Sequence, residues 1–444
     1  MVRILPEDSL MTDRPPPLVT SRRRLLGGLG ASVLLPLIPP SARAQVRALP
    51  RLAVALNETP LDLRPGQPPT TALRFAPEVR DWNGALQRGD TLNLDLTSPA
   101  PVGLSWYGLD GIAQPPNTAA RLSVPLRAAG TCFVVARSAS EAEPRLLPCG
   151  ALAVKEAKPP EVDRDEILLI EDWRLKADGT ALPPGQPVGD AATLYTVNGQ
   201  PNWTIAARAN ERLRLRLVNG CHRAVVALRI ADHDVRVIAI DGQPAEPFPA
   251  RDGRLILSPG TRLDVLVDAA RPPGSVSQIL LHDGTTPKPV AMLRYSADAP
   301  VRDAALPLAA QLPDNGLPAK MPFQNAQRFE LAVGTLAADG EWLASERAAL
   351  QAAPAFRARR GRTVMLALTN RAPTPVTLRM QGHHFRLLDR LDDGWKPFWL
   401  DTLLFDVGQT HRIAFLAEHA GNWPLETIGI DWASPRLTRW YTVE

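Results

Sequence analysis

Proline places the strongest constraint on how this chain folds, since 45 of its 444 residues are proline. Proline disrupts helix interiors and central strands, so the chain is expected to form many short strands joined by turns. Segments of alternating apolar and polar residues agree, as at residues 89–96 (GDTLNLDL) and 211–219 (ERLRLRLVN). Such alternation is typical of half-buried strands. The sequence therefore predicts an all-β protein, long enough for two to four domains.

The charge of the chain excludes one class of partner. Six of the 50 basic residues lie among residues 1–44, and acidic and basic groups nearly balance in the rest of the chain. A near-neutral protein gives no reason to expect binding to nucleic acid.

The amino-terminal segment has the features of an export signal. Residues 21–26 (SRRRLL) resemble the twin-arginine signal, residues 25–38 form a moderately apolar run, and Ala42-Arg43-Ala44 is a small-x-small cleavage site. The run is too short to span a bilayer. We expect residues 1–44 to direct export to the periplasm, the alternative being a disordered basic tail. No later stretch is apolar and long enough for a transmembrane anchor after signal removal.

The three cysteines leave one question open. Cys132 and Cys149 lie in apolar segments that are predicted to be neighbouring antiparallel strands. Export would permit a disulfide between them, and two buried free thiols are an equal alternative. Cys221 shows neither redox nor zinc-site spacing.

Two segments near the carboxyl end, residues 376–385 (VTLRMQGHHF) and 421–432 (GNWPLETIGIDW), carry a family resemblance. They resemble the third-domain copper-binding segments of the multicopper oxidases. Those segments read His-Pro-x-His-x-His-Gly-x-x-Phe and Gly-x-Trp-x-x-His-Cys-His-x-x-x-His. The glycine, the phenylalanine and the Gly-x-Trp pattern match in register, whereas the histidines and the cysteine are replaced.

The resemblance continues through the rest of the chain. Residues 105–109 (SWYGL) and 130–137 (GTCFVVAR) are similar to the family's His-Trp-His-Gly-Leu and Gly-Thr-x-x-Tyr-His-x-His motifs. Residues 237–244 (VIAIDGQP) and 257–268 (LSPGTRLDVLVD) match the middle domain, which carries no copper in the family.

The resemblance implies a fold and a set of boundaries. It implies three tandem cupredoxin-like Greek-key β-sandwich domains. Domain one is expected at 45–156, domain two at 164–300 and domain three at 324–444, after a signal peptide at 1–44.

No histidine or cysteine occupies a position that matches a copper ligand of the family. Copper prefers imidazole nitrogen and thiolate sulfur to hydroxyl or amide ligands. The resemblance therefore implies no catalytic, cofactor-binding or metal-binding residue, with copper as cofactor only if other residues ligate it. These degenerate copper-ligand positions are Ser105, Tyr107, Val135, Arg137, Val376, Arg379, Gln381, Glu426, Thr427, Ile428 and Trp432.

The replacements themselves suggest two arrangements. Charges that enter one cavity are expected as a pair, so we expect Arg137 to face Glu426, with Gln381 or Arg379 supplying further hydrogen bonds. The alternative is that these side chains turn to solvent or pair elsewhere. At the type 1 copper position, Trp432 is expected to fill an apolar pocket together with the Val376 and Thr427 positions.

Other polar residues are assigned ordinary structural roles. His383 and His384 are adjacent, so on a strand they point to opposite faces, and both are expected to be structural or solvent-facing. The arginines of residues 212–216 are expected on the solvated face of a strand rather than at an anionic binding surface. Asp241 and Asp264 resemble turn and strand residues.

The resemblance thus implies an exported multicopper oxidase family protein that has lost its copper ligands and acts as a periplasmic binding or scaffold protein. It is similar in this respect to the exported copper-free cell-envelope protein of the superfamily that assists bacterial division. Its expected partner is another periplasmic protein or a cell-envelope component. The alternatives are a copper-dependent oxidoreductase that uses non-standard ligands and a small-molecule binder that uses the vacated cavities.

Export can be tested at the paired arginines. Replacing Arg22 and Arg23 by Lys should block periplasmic accumulation, because the twin-arginine export machinery recognises this arginine pair. Fractionation of cells expressing either form measures the effect, and the circular dichroism of the purified mature chain should be unchanged. Equal periplasmic amounts of the two forms would contradict the signal assignment.

Overall fold

The computed structural model describes residues 49–444 apart from 83–85, 113–116, 139–145, 335–341, 345–348, 350 and 389–393. These residues belong to one compact unit, Val46–Glu444. The twin-arginine segment lies outside the described residues. Within them, no helix has the length and apolar character needed to cross a membrane.

Domain one is built on a six-stranded sheet in the order β2-β1-β3-β5-β6, with β4 paired to β3. A short 3-10 turn, Val79–Trp82, packs beside β6. The strands are β1 (Leu52–Leu61), β2 (Thr70–Ala76), β3 (Thr91–Tyr107), β4 (Asn117–Pro125), β5 (Gly130–Ser138) and β6 (Cys149–Val154).

The long strand β3 changes partner along its length. A register shift between Thr97 and Val102 ends most of its pairing with β4, and from Val102 onward β3 pairs with β5. Tyr107 therefore lies opposite Phe133 at the end of the sheet that faces the other domains.

The cysteines of the neighbouring strands β5 and β6 are not bonded to each other. Cys132 lies opposite Leu152, whereas Cys149 lies opposite Val135. Together with Cys221 they are buried free thiols, which is one of the two alternatives that the sequence left open.

Domain two contains a six-stranded sheet, β13-β12-β15-β10-β7-β8, and a five-stranded sheet, β14-β11-β16-β17-β9. A 3-10 turn at Arg251–Gly253 precedes β14. The strands are β7 (Arg164–Leu175), β8 (Ala192–Val197), β9 (Trp203–Ala207), β10 (Arg212–Asn219), β11 (Val226–Ile230), β12 (Val235–Ile240), β13 (Gln243–Pro249), β14 (Leu255–Leu257), β15 (Arg262–Asp268), β16 (Val276–His282) and β17 (Lys288–Tyr295).

Domain three contains a four-stranded sheet, β18-β20-β24-β22, and a five-stranded sheet, β19-β26-β25-β21-β23. The strands are β18 (Gln327–Val333), β19 (Arg357–Ala358), β20 (Thr363–Asn370), β21 (Val376–Met380), β22 (Arg386–Leu387), β23 (Thr402–Phe405), β24 (Thr410–Leu416), β25 (Gly421–Gly429) and β26 (Arg436–Val443). The predicted fold, three tandem cupredoxin-like β-sandwiches, is confirmed.

The arginines of β10 are buried, so the solvated face predicted for them is wrong. Arg212, Arg214 and Arg216 are 4%, 0% and 1% exposed. Strand β10 lies inside its sheet between β15 and β7, and its leucines enter the core of domain two. The alternation correctly predicted two faces but carried no information about what covers the polar face.

Domain one covers that polar face at Arg214 and Arg216. Arg214 donates hydrogen bonds of 2.6 and 3.0 Å to Glu156 and one of 2.6 Å to Asp264. Arg216 donates to Asp264 and to the Thr131 hydroxyl of domain one, each over 3.0 Å. Burial alone would raise the pKa of Asp264, but the two guanidinium charges hold it below its ordinary value. The interface between domains one and two is therefore a buried network of charges.

Candidate functional site

The degenerate copper-ligand positions lie mainly on four strands of domains one and three. In domain three, β21 pairs with β25 and brings Arg379 opposite Glu426. In domain one, β3 pairs with β5 and brings Ser105 opposite Val135. Ten of the eleven positions are buried, and Val135 is half-buried.

Several of these side chains meet across the boundary between domains one and three. The Gln381 amide nitrogen donates a 3.0 Å hydrogen bond to the Ser105 hydroxyl. The Tyr107 hydroxyl donates a 2.7 Å hydrogen bond to Glu426 Oε2. Four of the degenerate copper-ligand positions therefore form two hydrogen bonds between domains one and three.

Glu426 is the carboxylate around which the charges of this junction are arranged. Arg436 on β26 donates to Glu426 Oε1, the oxygen that Tyr107 does not use. Burial alone would raise the pKa of Glu426, but the charges of Arg436, Arg137 and Arg379 lower it to about 2. Burial and the charge of Glu426 raise the pKa of Tyr107, so its phenol is a neutral donor.

The contact predicted between Arg137 and Glu426 needs correction. The hydrogen bond that crosses to Glu426 from domain one comes from Tyr107. Arg137 is buried and lowers the pKa of Glu426 through its charge. A phenol and a guanidinium can both satisfy a buried carboxylate, so residue type alone did not distinguish the two partners.

Arg379 joins the junction to domain two. Its guanidinium lies 5.5 Å from the ring centre of Tyr107 and 5.4 Å from that of Phe133. Its Nε donates a 3.0 Å hydrogen bond to the carbonyl oxygen of Pro259. A cation over aromatic faces is favourable, so Arg379 contacts all three domains.

The pocket predicted at the type 1 position is not filled by Trp432. Val376 and Thr427 line an open cleft of about 300 Å³ together with Leu437. Trp432 is buried elsewhere, with its Nε1 donating over 3.2 Å to the carbonyl of Pro183 in domain two. The backbone carbonyl of Trp432 accepts a 2.7 Å hydrogen bond from Gly185 N, which anchors this turn to domain two.

A second buried cluster, which the sequence did not reveal, joins all three domains. Arg262 of domain two is fully buried and donates two 2.7 Å hydrogen bonds to the two carboxylate oxygens of Asp401 in domain three. The backbone N–H of Gly108, in domain one, donates to Asp401 Oδ2 over 2.7 Å. Asp241 accepts the backbone N–H groups of Asp401 and Thr402. The sequence signal was the match of residues 237–244 and 257–268 to the family's middle domain, which gave no partner for Asp241 or Arg262.

His384 extends this cluster into domain one. Its Nδ1 lies 2.8 Å from Asp110 Oδ1, and its Nε2 lies 3.2 Å from the carbonyl oxygen of Asp241. Burial alone would lower the pKa of His384, but Asp110 and then Asp401 raise it to about 9. The imidazole is therefore charged at neutral pH and is paired.

His383 is also buried, and its two ring nitrogens are occupied. Its Nδ1 lies 2.7 Å from the Tyr441 hydroxyl, and its Nε2 accepts the backbone N–H of His419 over 3.1 Å. Both histidines follow the end of β21, so the expectation that they point to opposite faces of a strand does not apply to them. Of the two roles left open by the sequence, the structural one holds. Within the described part of the chain, no three His, Cys, Asp or Glu side chains form a metal-binding group.

Comparison with known proteins agrees with this fold. Sequence profiles of multicopper oxidases match residues 165–297 and 320–432, which together are more than half of the chain. The chain belongs to the multicopper oxidase family. The crystal structure of a multi-copper oxidase from Pseudomonas thermotolerans superposes on this family member with a TM-score of 0.76 and 23% identity. The match includes 90% of the present chain and 100% of the Pseudomonas chain. At that identity the likeness establishes the fold alone.

Curated relatives of this multicopper oxidase family member are distant. Laccase-14 of rice is 28% identical over 200 residues, which are 39% of this chain and 32% of that protein. Copper resistance protein A of Escherichia coli is 23% identical over 325 residues, 56% of this chain and 53% of that one. Multicopper oxidase MmcO of Mycobacterium tuberculosis is 21% identical, over 60% of each chain. The chain thus spans between about a third and three fifths of these relatives.

The junction at Glu426 gives a prediction about stability. Glu426→Ala should lower the free energy of unfolding by about 3–5 kcal/mol at neutral pH. It leaves the guanidinium of Arg436 and the hydroxyl of Tyr107 without their acceptor. The pKa of Glu426 is about 2 in the fold against an ordinary 4.5, so its contribution is complete above pH 4.5 and lost as the pH falls toward 2. Urea unfolding across this pH range measures both effects.

Two matched variants control this measurement. Glu330→Ala removes an exposed carboxylate of β18 and should change stability by less than about 0.5 kcal/mol. Glu426→Leu combined with Arg436→Met should cost less than Glu426→Ala, since the guanidinium that donates to Glu426 is removed together with its acceptor. A loss below about 1 kcal/mol in Glu426→Ala would contradict the role of this junction.

Proposed function

We propose that this chain is a copper-free member of the multicopper oxidase family that acts as a binding or scaffold protein in the periplasm. The observation that carries the proposal is the bonding at the junction of domains one and three. Side chains at the degenerate copper-ligand positions hydrogen-bond one another, through Tyr107 to Glu426 and Gln381 to Ser105. These contacts use the groups that would otherwise face a metal.

The donor set at this junction does not fit copper. It offers a neutral phenol, a hydroxyl, an amide and one carboxylate, whereas copper favours imidazole and thiolate. Both oxygens of Glu426 are hydrogen-bonded, and the charges of Arg436, Arg137 and Arg379 act on the same site. These three guanidinium cations would repel a copper ion. No oxidase step is therefore assigned to these residues.

The type 1 position also lacks suitable ligands. Val376 and Thr427 offer a hydrocarbon side chain and a hydroxyl, and Trp432 contacts domain two. The cysteines do not substitute, because Cys132 and Cys149 lie on β5 and β6 of domain one. Burial raises the pKa of Cys132 to about 12, so it is a thiol and not the thiolate that binds metal.

A scaffold role follows from what remains. The domains are docked by buried ion pairs and hydrogen bonds, and these contacts support a rigid surface that a partner could bind. We propose that residues 1–44 direct twin-arginine export and that the partner is a periplasmic protein or a cell-envelope component. Assistance to cell division is the specific role suggested by similarity to the copper-free member of the superfamily. The oxidase and resistance activities named for the relatives are those proteins' own.

Copper content tests the proposal directly. The mature protein is incubated with copper, desalted and analysed by mass spectrometry for metal and by visible spectroscopy. We expect far less than one copper per chain and no blue thiolate band. Multicopper oxidase MmcO, treated in parallel, controls for loading. One tightly retained copper per chain, or a blue band, would overturn the proposal and favour an oxidoreductase with non-standard ligands.

A further inference from the structure

Five charged side chains meet where all three domains join, and we call them the Asp401 cluster. Asp241 and Arg262 come from domain two, His384 and Asp401 from domain three, and Asp110 from domain one. Asp110 is half-buried, and the other four are at most 3% exposed. Water screens charges weakly at that depth, so a change in the charge of one member is felt by the others.

His384 is the member whose surroundings require a proton on each ring nitrogen. Its Nδ1 lies 2.8 Å from Asp110 Oδ1, and its Nε2 lies 3.2 Å from the carbonyl oxygen of Asp241 and 3.6 Å from Asp401 Oδ2. The amide nitrogen of Gln243 lies farther from Nε2, at 3.4 Å, than the Asp241 carbonyl. A charged imidazole donates from both nitrogens, whereas a neutral one carries only one hydrogen. A neutral His384 would therefore turn a nitrogen lone pair toward an oxygen.

Arg262 supplies the permanent positive charge of the cluster. It donates two 2.7 Å hydrogen bonds to Asp401, and its Nη1 lies 3.6 Å from Asp241 Oδ1. A guanidinium that is shared between two carboxylates does not balance a third. The carboxylate of Asp110 therefore depends on His384 for its positive partner.

The other basic groups near Asp110 do not replace His384. Burial lowers the pKa of His383 to about 3 and that of His419 below its ordinary value, so both rings are neutral at neutral pH. Arg127 is exposed, and it donates over 3.0 Å to the backbone carbonyl of Asp110.

The net charge of the Asp401 cluster changes in steps with pH. At neutral pH it contains the two cations Arg262 and His384 and the three carboxylates Asp110, Asp241 and Asp401, a net charge of −1. Burial and the charge of Asp401 raise the pKa of Asp241 to about 6, against the opposing charge of Arg262, so the cluster approaches neutrality below that pH. Burial alone would lower the pKa of His384, but Asp110 and then Asp401 raise it to about 9. Above pH 9 the net charge reaches −2, and burying unbalanced charge is costly.

The effect of each step on stability follows from the direction of its pKa shift. The pKa of His384 in the fold lies above the ordinary 6.5, so the stability it contributes is complete below pH 6.5 and lost as the pH rises through 9. The raised pKa of Asp241 makes stability decline between pH 3.8 and 6. The charge of His384 lowers the pKa of Asp110 although burial opposes it, so Asp110 contributes a change only below pH 3.8. Between pH 6.5 and 9, His384 is the member that titrates.

We propose that the Asp401 cluster is a pH-sensitive joint, which holds the three domains together while His384 is protonated and loosens in alkaline solution. Loss of this proton leaves Asp110 of domain one without its positive partner in domain three. The backbone N–H groups of Gly108, Asp401 and Thr402, which donate to carboxylates of the cluster, then open to solvent more readily. The proposal does not depend on the absence of copper at the Glu426 junction, so each can fail without the other.

Urea unfolding of the full mature chain at pH 6.5 and pH 9.5 tests the joint. The urea midpoint of the wild type should fall between these pH values, and His384→Gln, which cannot titrate, should lose at least half of that fall. Asp110→Asn should move the fall to lower pH, because it removes the carboxylate that favours the charged imidazole. His282→Gln removes an exposed histidine of β16 and should reproduce the wild-type fall. An equal fall in wild type and His384→Gln would overturn the proposal.

Two measurements on the wild-type chain keep the test decisive if the cluster variants fail to fold. In a carbon-13 magnetic resonance titration of the histidine rings, one imidazole should titrate near pH 9. Hydrogen-exchange protection of the Gly108, Asp401 and Thr402 amides should fall between pH 6.5 and 9.5 relative to that of β10, inside domain two. Absence of an imidazole that titrates above pH 7.5, or unchanged relative protection of these three amides, would overturn the joint.

Discussion

The interaction on which the structure depends is the ion pair between Arg262 and Asp401. Arg262 is the first residue of β15 in domain two, and Asp401 precedes β23 in domain three. The same carboxylate accepts the backbone N–H of Gly108, the residue after β3 of domain one. Because the buried Asp401 carboxylate bonds to groups from the other two domains, it fixes the three domains relative to one another. Loss of one partner of such a pair typically costs about 3–5 kcal/mol.

The other interfaces repeat this arrangement. Arg214 pairs with Glu156 of domain one, Arg216 donates to the Thr131 hydroxyl of domain one, and both arginines pair with Asp264 within domain two. Tyr107 and Glu426 hold domain one to domain three. In each case a buried charged group bonds to a partner on another strand or domain. These bonds form only when the domains are docked, so they stabilise that arrangement. Side-chain hydrogen bonds and charges therefore link each pair of domains, and the junction at Glu426 is one of these links.

The sequence predicted the fold because alternation, proline-bounded strands and family motifs all report local structure. It also located the junction of domains one and three, since matching positions fall on β3, β5, β21 and β25. Long-range partners were harder to predict. The polar face of β10 is equally consistent with solvent and with buried carboxylates, and only the docked domain one decides. Trp432 follows β25 at the family spacing, but a backbone hydrogen bond to Gly185 draws its turn to domain two.

Calorimetric unfolding of the mature protein in EDTA and in excess copper tests most directly whether side chains alone hold the domains together. Ligands that bind only the folded state raise the melting temperature. The account predicts one cooperative transition with the same midpoint under both conditions. Separate domain transitions in EDTA that merge, or move to higher temperature, when copper is added would contradict it.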